Sequence, residues 1–368
     1  MSTQSYAPTR RHGFISSLEG LRALASLGVL ATHVAFQTAV DPATAVGAVL
    51  ARFDFFVAVF FALSAFVLWR RRAGQAWAQY YFKRFSRIMP AYWVCVLAVL
   101  LFIPSGPWLA NLSLTQIFWP SGLMTGLTHL WSLCVEMVFY LVLPLFALLL
   151  DRFGKKQRIL LILGFSLLSL GWAWLPIVES ATDRGLANMQ IWPPSYMCWF
   201  AVGLIAAELE GMRFPKIPYG IWVVLSLIIA WVAGQEWYGP LGLVHPSPAE
   251  FNLRILAGTA FAAVLVVPLA LGTPSAVLSS APMQKLGLWS YSIFLWHLPV
   301  LTIVFPLLGI PLFDGHFLLV FVATVLLTIP VAAASYVLVE QPVQQWVQKV
   351  LKRQSQPRAS KQENLLDN

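Results

Sequence analysis

Leu18-Glu19-Gly20-Leu21-Arg22-Ala23-Leu24-Ala25-Ser26-Leu27-Gly28-Val29-Leu30-Ala31-Thr32-His33-Val34-Ala35 is apolar enough, with its continuation to Val40, to cross a bilayer. It nonetheless carries an acid, a base and an imidazole. On an α-helix, Arg22 and His33 differ by only ~20° around the axis, and the rise puts His33 about 16 Å beyond Arg22. Glu19 and Ser26 fall near the same stripe, while leucine, valine and alanine fill most of the remainder. Each ionisable group at the centre of a membrane helix costs roughly 2.5–3.5 kcal/mol to insert, so such a stripe is rarely idle. Two readings follow: a polar seam that holds helices together, or a reactive face lining a buried site.

Composition sets the class. Hydrophobic residues make up 59% of the chain and charged residues 11%, against about 25% charged for soluble domains. Mean hydropathy is +0.73. This is a lipid-solvated composition. Cys95, Cys134 and Cys198 all lie in apolar runs, with neither a disulfide framework nor metal-ligand spacing. Arg10, Arg11 and His12 precede the first apolar run, and no small-residue cleavage site ends it, so it reads as a retained signal-anchor.

The apolar runs predict an all-α integral membrane protein: a polytopic bundle of about ten transmembrane helices with cores near 20–40, 54–70, 88–104, 129–150, 157–176, 193–210, 217–234, 253–271, 289–308 and 316–338. With both termini cytosolic, only Arg52, Arg184 and Arg254 of the 24 Lys and Arg fall outside, and Arg22 lies within the first helix. That asymmetry orients the chain as a multi-pass protein of the inner (plasma) membrane. It also accounts for the net charge of +9 through anionic lipid, with no nucleic-acid partner. Residues 1–340 read as one transmembrane domain. Residues 341–368 read as a cytosolic segment: an amphipathic helix with Val343, Trp346, Val347, Val350 and Leu351 on one face, then a disordered tail. Segment 105–128, rich in Pro, Gly, Trp and Asn, is expected to fold back over the outer face.

Further polar groups interrupt the spans. Asp54 opens the second. Before the third, Arg84 and Arg87 project together at i and i+3 from an interfacial face. They read either as positive-inside bias with snorkelling side chains or as a phosphate clamp, since paired guanidiniums match phosphate oxygens. The fourth span opens Trp131-Ser132-Leu133-Cys134-Val135-Glu136, and the ninth carries Ser290-Tyr291-Ser292-Ile293-Phe294-Leu295-Trp296-His297. Counted from span midpoints, His33, Glu136 and His297 fall within about 10 Å of one depth. They are expected to form either a neutral His–Glu–His lock or a catalytic pocket with a base and its orienter.

The blocks Leu18–His33, Phe55–Phe66, Arg84–Tyr92, Trp131–Pro144 and Ser290–Pro299 together resemble the membrane acyltransferase 3 family, and they cover most of the chain. The resemblance implies that Arg22 and His33 are needed for activity, that Arg84 and Arg87 serve the acyl-CoA donor, and that Glu136 belongs to the site. Asp54 is a weaker match. The chain departs from the family pattern at Glu19, where Asp is commoner, at Ala65, where Gly is usual, and at Met137, where a second acid often follows. The hydrolase-like domain fused to some members is absent, which suggests a stand-alone enzyme.

The expected function is therefore an O-acyltransferase, with acetyl as the default group, moving it from cytosolic acyl-CoA to a hydroxyl of a surface or lipid-linked glycan. His33, Arg22 and Glu136 are the expected catalytic group and Arg84 and Arg87 the donor site. Glu19, Asp54, Ser132, Tyr291 and His297 are further candidates. No permanently bound cofactor and no metal are expected. The rival is a proton-coupled transporter or flippase relaying protons through His33, Glu136 and His297, although no inverted sequence repeat is seen.

Overall fold

The computed structural model describes residues 13–103, 106–215, 217–242 and 244–355. The basic cluster Arg10–His12 and the polar tail beyond Ser355 lie outside the described residues. Among the described residues every regular element is helical. In chain order these are α1 Ser16–Gln37, α2 Ala45–Ala51, α3 Phe56–Trp69, α4 Trp77–Phe102, α5 Trp108–Leu112, α6 Trp131–Leu150, α7 Lys155–Leu170, α8 Pro176–Glu179, α9 Met197–Leu209, α10 Tyr219–Ala233, α11 Pro248–Ala270, α12 Ala281–Leu308, α13 Phe317–Ser335 and α14 Gln341–Ser355. Seven helical stretches are long and apolar enough to cross a membrane, with Ala45–Trp69 and Phe317–Arg353 each continuous through a short turn. α1, α9 and α10 are not among them.

Local sequence sets the helix ends. Ser247 and Glu250 close a reciprocal capping box at the start of α11, with Pro248 in the first turn. The Glu250 carboxylate is thus engaged in a cap. α12 stops at Gly309, whose φ of 66° is the left-handed conformation that terminates helices.

α1 runs through the middle, covered by α12 on one side and α3 on the other. Glycines make the close approach possible. A Cβ on Gly20 would overlap the backbone of Leu278, and one on Gly287 would overlap the backbone of Glu19. Gly203 does the same for α9 against Ala62 of α3. Leu160, Leu163 and Leu167 on α7, Ile221 and Val224 on α10, and Leu318 and Leu326 on α13 are exposed, as lipid-facing residues would be.

Three features of the fold matter for the site. Arg84 and Arg87 belong to α4, which begins a full three turns before the apolar run and continues through Pro90. Segment 106–130 is tied to the rest of the protein: Tyr92 of α4 donates to the Asn111 carbonyl, and Trp192 Nε1 donates to that of Ile117 at 2.9 Å. α13 passes into α14 through a π-helical turn at Tyr336–Glu340, and Trp346 of α14 packs on Phe82 of α4.

Candidate active site

His33 meets a second imidazole near the end of α1. Its Nδ1 lies 2.9 Å from the Val29 carbonyl and 3.1 Å from Nε2 of His297. A carbonyl oxygen only accepts, so His33 Nδ1 carries the hydrogen. His297 Nδ1 lies 2.7 Å from the Phe294 carbonyl and carries its own hydrogen for the same reason. In a neutral ring that leaves His297 Nε2 as an acceptor, which suits the His33 Nδ1–H. The geometry thus fixes both tautomers and leaves Nε2 of His33 with its lone pair, engaged by no other group among the described residues. His129 completes the cluster, with ring centroids 4.7 Å from His297 and 6.3 Å from His33. Its Nε2 donates to the Leu295 carbonyl at 3.2 Å, and its Nδ1 is buried without a partner. Among the described residues no three His, Cys, Asp or Glu are disposed to hold a metal ion.

A cluster of cations lies at the other end of the α1 stripe. Arg22 sits over the Phe60 ring and reaches Ser290 Oγ at 3.4 Å. Arg87 is within electrostatic reach of Arg22, Arg84 and Glu19. None of Arg22, Arg84 and Arg87 forms an ion pair among the described residues, and Nε of Arg84 is buried with no partner at all. Arg22 and Arg84 are half-buried and Arg87 is exposed, so the three like charges repel one another at a place an anion can reach.

Glu136 belongs to this arginine end and does not orient His33. Its carboxylate accepts from Ser64 and Tyr140, and Tyr140 in turn lies within reach of the Arg84 charge. The expected His–Glu–His lock is therefore not formed. The orienting contacts on His33 come from Val29 and His297. Among the other candidates, Asp54 pairs with Arg254 and leaves Oδ1 buried without a partner, close enough for its charge to act on His33. Tyr291 donates to the Ile88 carbonyl at 2.8 Å, tying α12 to α4. Ser132 donates only to the His129 carbonyl one turn back.

The acyltransferase 3 model, described as an acyltransferase domain, matches residues 15–337. The chain belongs to the acyltransferase 3 family. Its relatives include the peptidoglycan O-acetyltransferase OatA of Listeria monocytogenes, 26% identical over 81% of this chain and 51% of that protein. The acyltransferase MdmB of Streptomyces mycarofaciens is 28% identical over 80% of this chain and 81% of its own length. The O-acetyltransferase OatA of Staphylococcus aureus is 25% identical over 90% and 57%. The chain thus spans about half the length of several of the curated relatives it matches. No solved structure matches.

Within this acyltransferase 3 chain, an integral membrane protein with several crossings, four site residues escaped the sequence reading. His129 was visible as an ionisable group at the start of the fourth apolar run. Arg254 had been counted only as an outer charge. Ser64 and Tyr140 looked like ordinary span residues, and no local signal marks them as the partners of Glu136.

Proposed function

We propose that the chain is a membrane O-acyltransferase that moves an acyl group, acetyl by default, from cytosolic acyl-CoA to a glycan hydroxyl, peptidoglycan being the acceptor named for the Listeria relative. The observation that carries this is the tautomer of His33, a neutral imidazole presenting a free lone pair about 16 Å along α1 from three cations with no acidic partner. Arg84 and Arg87 hold the donor's phosphates at the cytosolic face. The pantetheine arm, about as long as the Arg22–His33 separation, runs up the polar stripe. His33 Nε2 takes the proton of the acceptor hydroxyl while its oxygen forms the ester bond to the acyl carbon. The carbon–sulfur bond breaks, and the departing CoA thiolate takes the proton back from His33. Arg22, at the far end of the stripe from the thioester, steadies the donor where its arm enters.

The reading includes ten crossings, both termini cytosolic, in the plasma (inner) membrane. α9 and α10 complete the bundle as short crossings, and α1 crosses because its charges face inward. The carrier alternative draws no support from the family or from the named relatives. Purified protein in liposomes tests the proposal: acetyl-CoA plus glycan should release CoA and leave an alkali-labile ester on the glycan. Solute flux without CoA release would overturn it.

A further inference from the structure

At the end of α1 remote from Arg22 lies a cavity of about 310 Å³ whose lining includes a near neighbour in sequence of each of the three histidines, though none of the histidines themselves. Gln37, one helical turn beyond His33, lines it, as do Thr128, which precedes His129, and Leu298, which follows His297. Part of the lining is polar and unengaged. The Gln37 amide bonds to nothing among the described residues, and its Oε1 is buried without a partner. The hydroxyls of Thr125 and Thr128, also in the lining, meet no other described group. The Gln37 backbone is pinned, however, its carbonyl accepting from Phe313 N at 2.8 Å. The apolar part of the lining is Leu298, Phe305, Pro306 and Leu312.

We infer that this cavity is the acceptor subsite and takes a single pyranose ring, an inference that rests on the acyl-transfer reading above. The volume lies at the bottom of the range of about 300–1,000 Å³ usual for ligand pockets, which suits one ring rather than a longer stretch of glycan. A pyranose is itself two-sided, with C–H groups on its face and hydroxyls at its edge. It matches a pocket lined in part by hydrocarbon and in part by free amide and hydroxyl groups. Unpaired buried polar atoms are costly, and a ring hydroxyl supplies the bond that Gln37 lacks. A ring held there lies one helical turn from His33, so the position of its reactive hydroxyl selects which carbon is acylated.

The test is steady-state transfer in liposomes with acetyl-CoA as donor and the soluble trimer of N-acetylglucosamine as acceptor. Gln37→Leu keeps the side chain's size and removes its hydrogen bonding. It should raise the KM for the trimer about ten-fold, the loss of one hydrogen bond, and leave acetyl-CoA affinity within two-fold. Gln37→Glu, which restores an acceptor, should recover most of the loss. An unchanged KM in the Gln37→Leu, Thr128→Val double variant would overturn the cavity assignment while transfer itself stands. If the wild type releases CoA to water but transfers nothing to the trimer, the pyranose assignment is overturned. Absence of any acetyl-CoA-dependent CoA release would instead sink the acyl-transfer reading.

Discussion

Replacing His33 and His297 in turn separates chemistry from positioning. His33→Gln keeps a side chain of similar reach that still donates and accepts hydrogen bonds but has no basic nitrogen. General-base assistance is worth typically 10²–10⁴-fold, so turnover should fall by at least a hundred-fold. His297→Leu is predicted to be far milder. The His33 Nδ1–H has two acceptors, Val29 O at 2.9 Å and His297 Nε2 at 3.1 Å, and removing the second leaves the first. The carbonyls that face His297 Nδ1 lie within α12 and already take part in its backbone ladder. One neutral hydrogen bond is worth about 0.5–1.5 kcal/mol, which corresponds to roughly a two- to twelve-fold fall in rate. Neither change should move acetyl-CoA affinity more than a few-fold, because the donor phosphates lie some 16 Å away. The assay is CoA release from acetyl-CoA in proteoliposomes, followed with a thiol reagent, with donor binding measured by calorimetry in detergent. If His297→Leu falls as far as His33→Gln, the Val29 carbonyl does not suffice to set the tautomer. If His33→Gln keeps more than about a tenth of wild-type turnover, imidazole basicity is not used and the polar-seam account of α1 is the better one.

Arg84→Ala and Arg87→Ala should each weaken acetyl-CoA binding about ten- to a hundred-fold, as expected for charge-assisted bonds of roughly 1.5–3 kcal/mol; unchanged calorimetric affinity in the double variant would reduce both to positive-inside residues. Glu136→Gln retains an oxygen to accept from Ser64 and Tyr140 but removes a negative charge from the arginine end. The KM for acetyl-CoA should therefore fall a few-fold with kcat nearly unmoved, whereas a collapse of kcat to the His33→Gln level would restore Glu136 as the histidine's partner. For topology, a cysteine at Ser113 should be labelled by an impermeant maleimide in intact cells and one at Ser355 should not; labelling at Ser355 would invert the orientation.

Periodicity made part of this site legible. The eleven-residue spacing of Arg22 and His33 states a shared face and a separation, and α1 realises both because it is one unbroken helix from Ser16 to Gln37. Within one helix, sequence distance is spatial distance. Between helices it is not, and the error over Glu136 arose there. Counting from span midpoints assigned Glu136 a depth but could not say which neighbour it would face. α6 turns it toward Ser64 and keeps Tyr140, four residues on, beside the same carboxylate. One of the midpoints is itself displaced, since α12, which carries His297, starts at Ala281, well ahead of its apolar core at 289. Charged and aromatic first turns hide a helix start from a hydropathy reading, while caps such as Ser247 with Glu250 reveal it.

The two ends of the α1 stripe place opposite electrostatic demands on one fold, and the residues around them follow those demands. The proposed anionic donor would need uncompensated positive charge; Arg22, Arg84 and Arg87 form no ion pairs among the described residues, while acids stand nearby at one remove. Glu136 is capped by two hydroxyls. Glu340, buried in the π-helical turn and held by Ser292, lies within reach of Arg87 and Arg22 without bonding either. These acids temper the mutual repulsion of three clustered cations, of which Arg87 is exposed and Arg22 and Arg84 half-buried, without bonding their guanidinium edges. A general base needs the reverse, a neutral setting in which its lone pair stays available. At that end the imidazoles are tied to backbone carbonyls and to each other, and the nearby carboxylate, Asp54, is paired with Arg254. Had Glu136 bonded His33 directly, as its apparent depth suggested, its charge would have favoured the imidazolium and occupied the base with a proton before the acceptor arrived. Moving the acid to the arginine end serves both halves of the reaction.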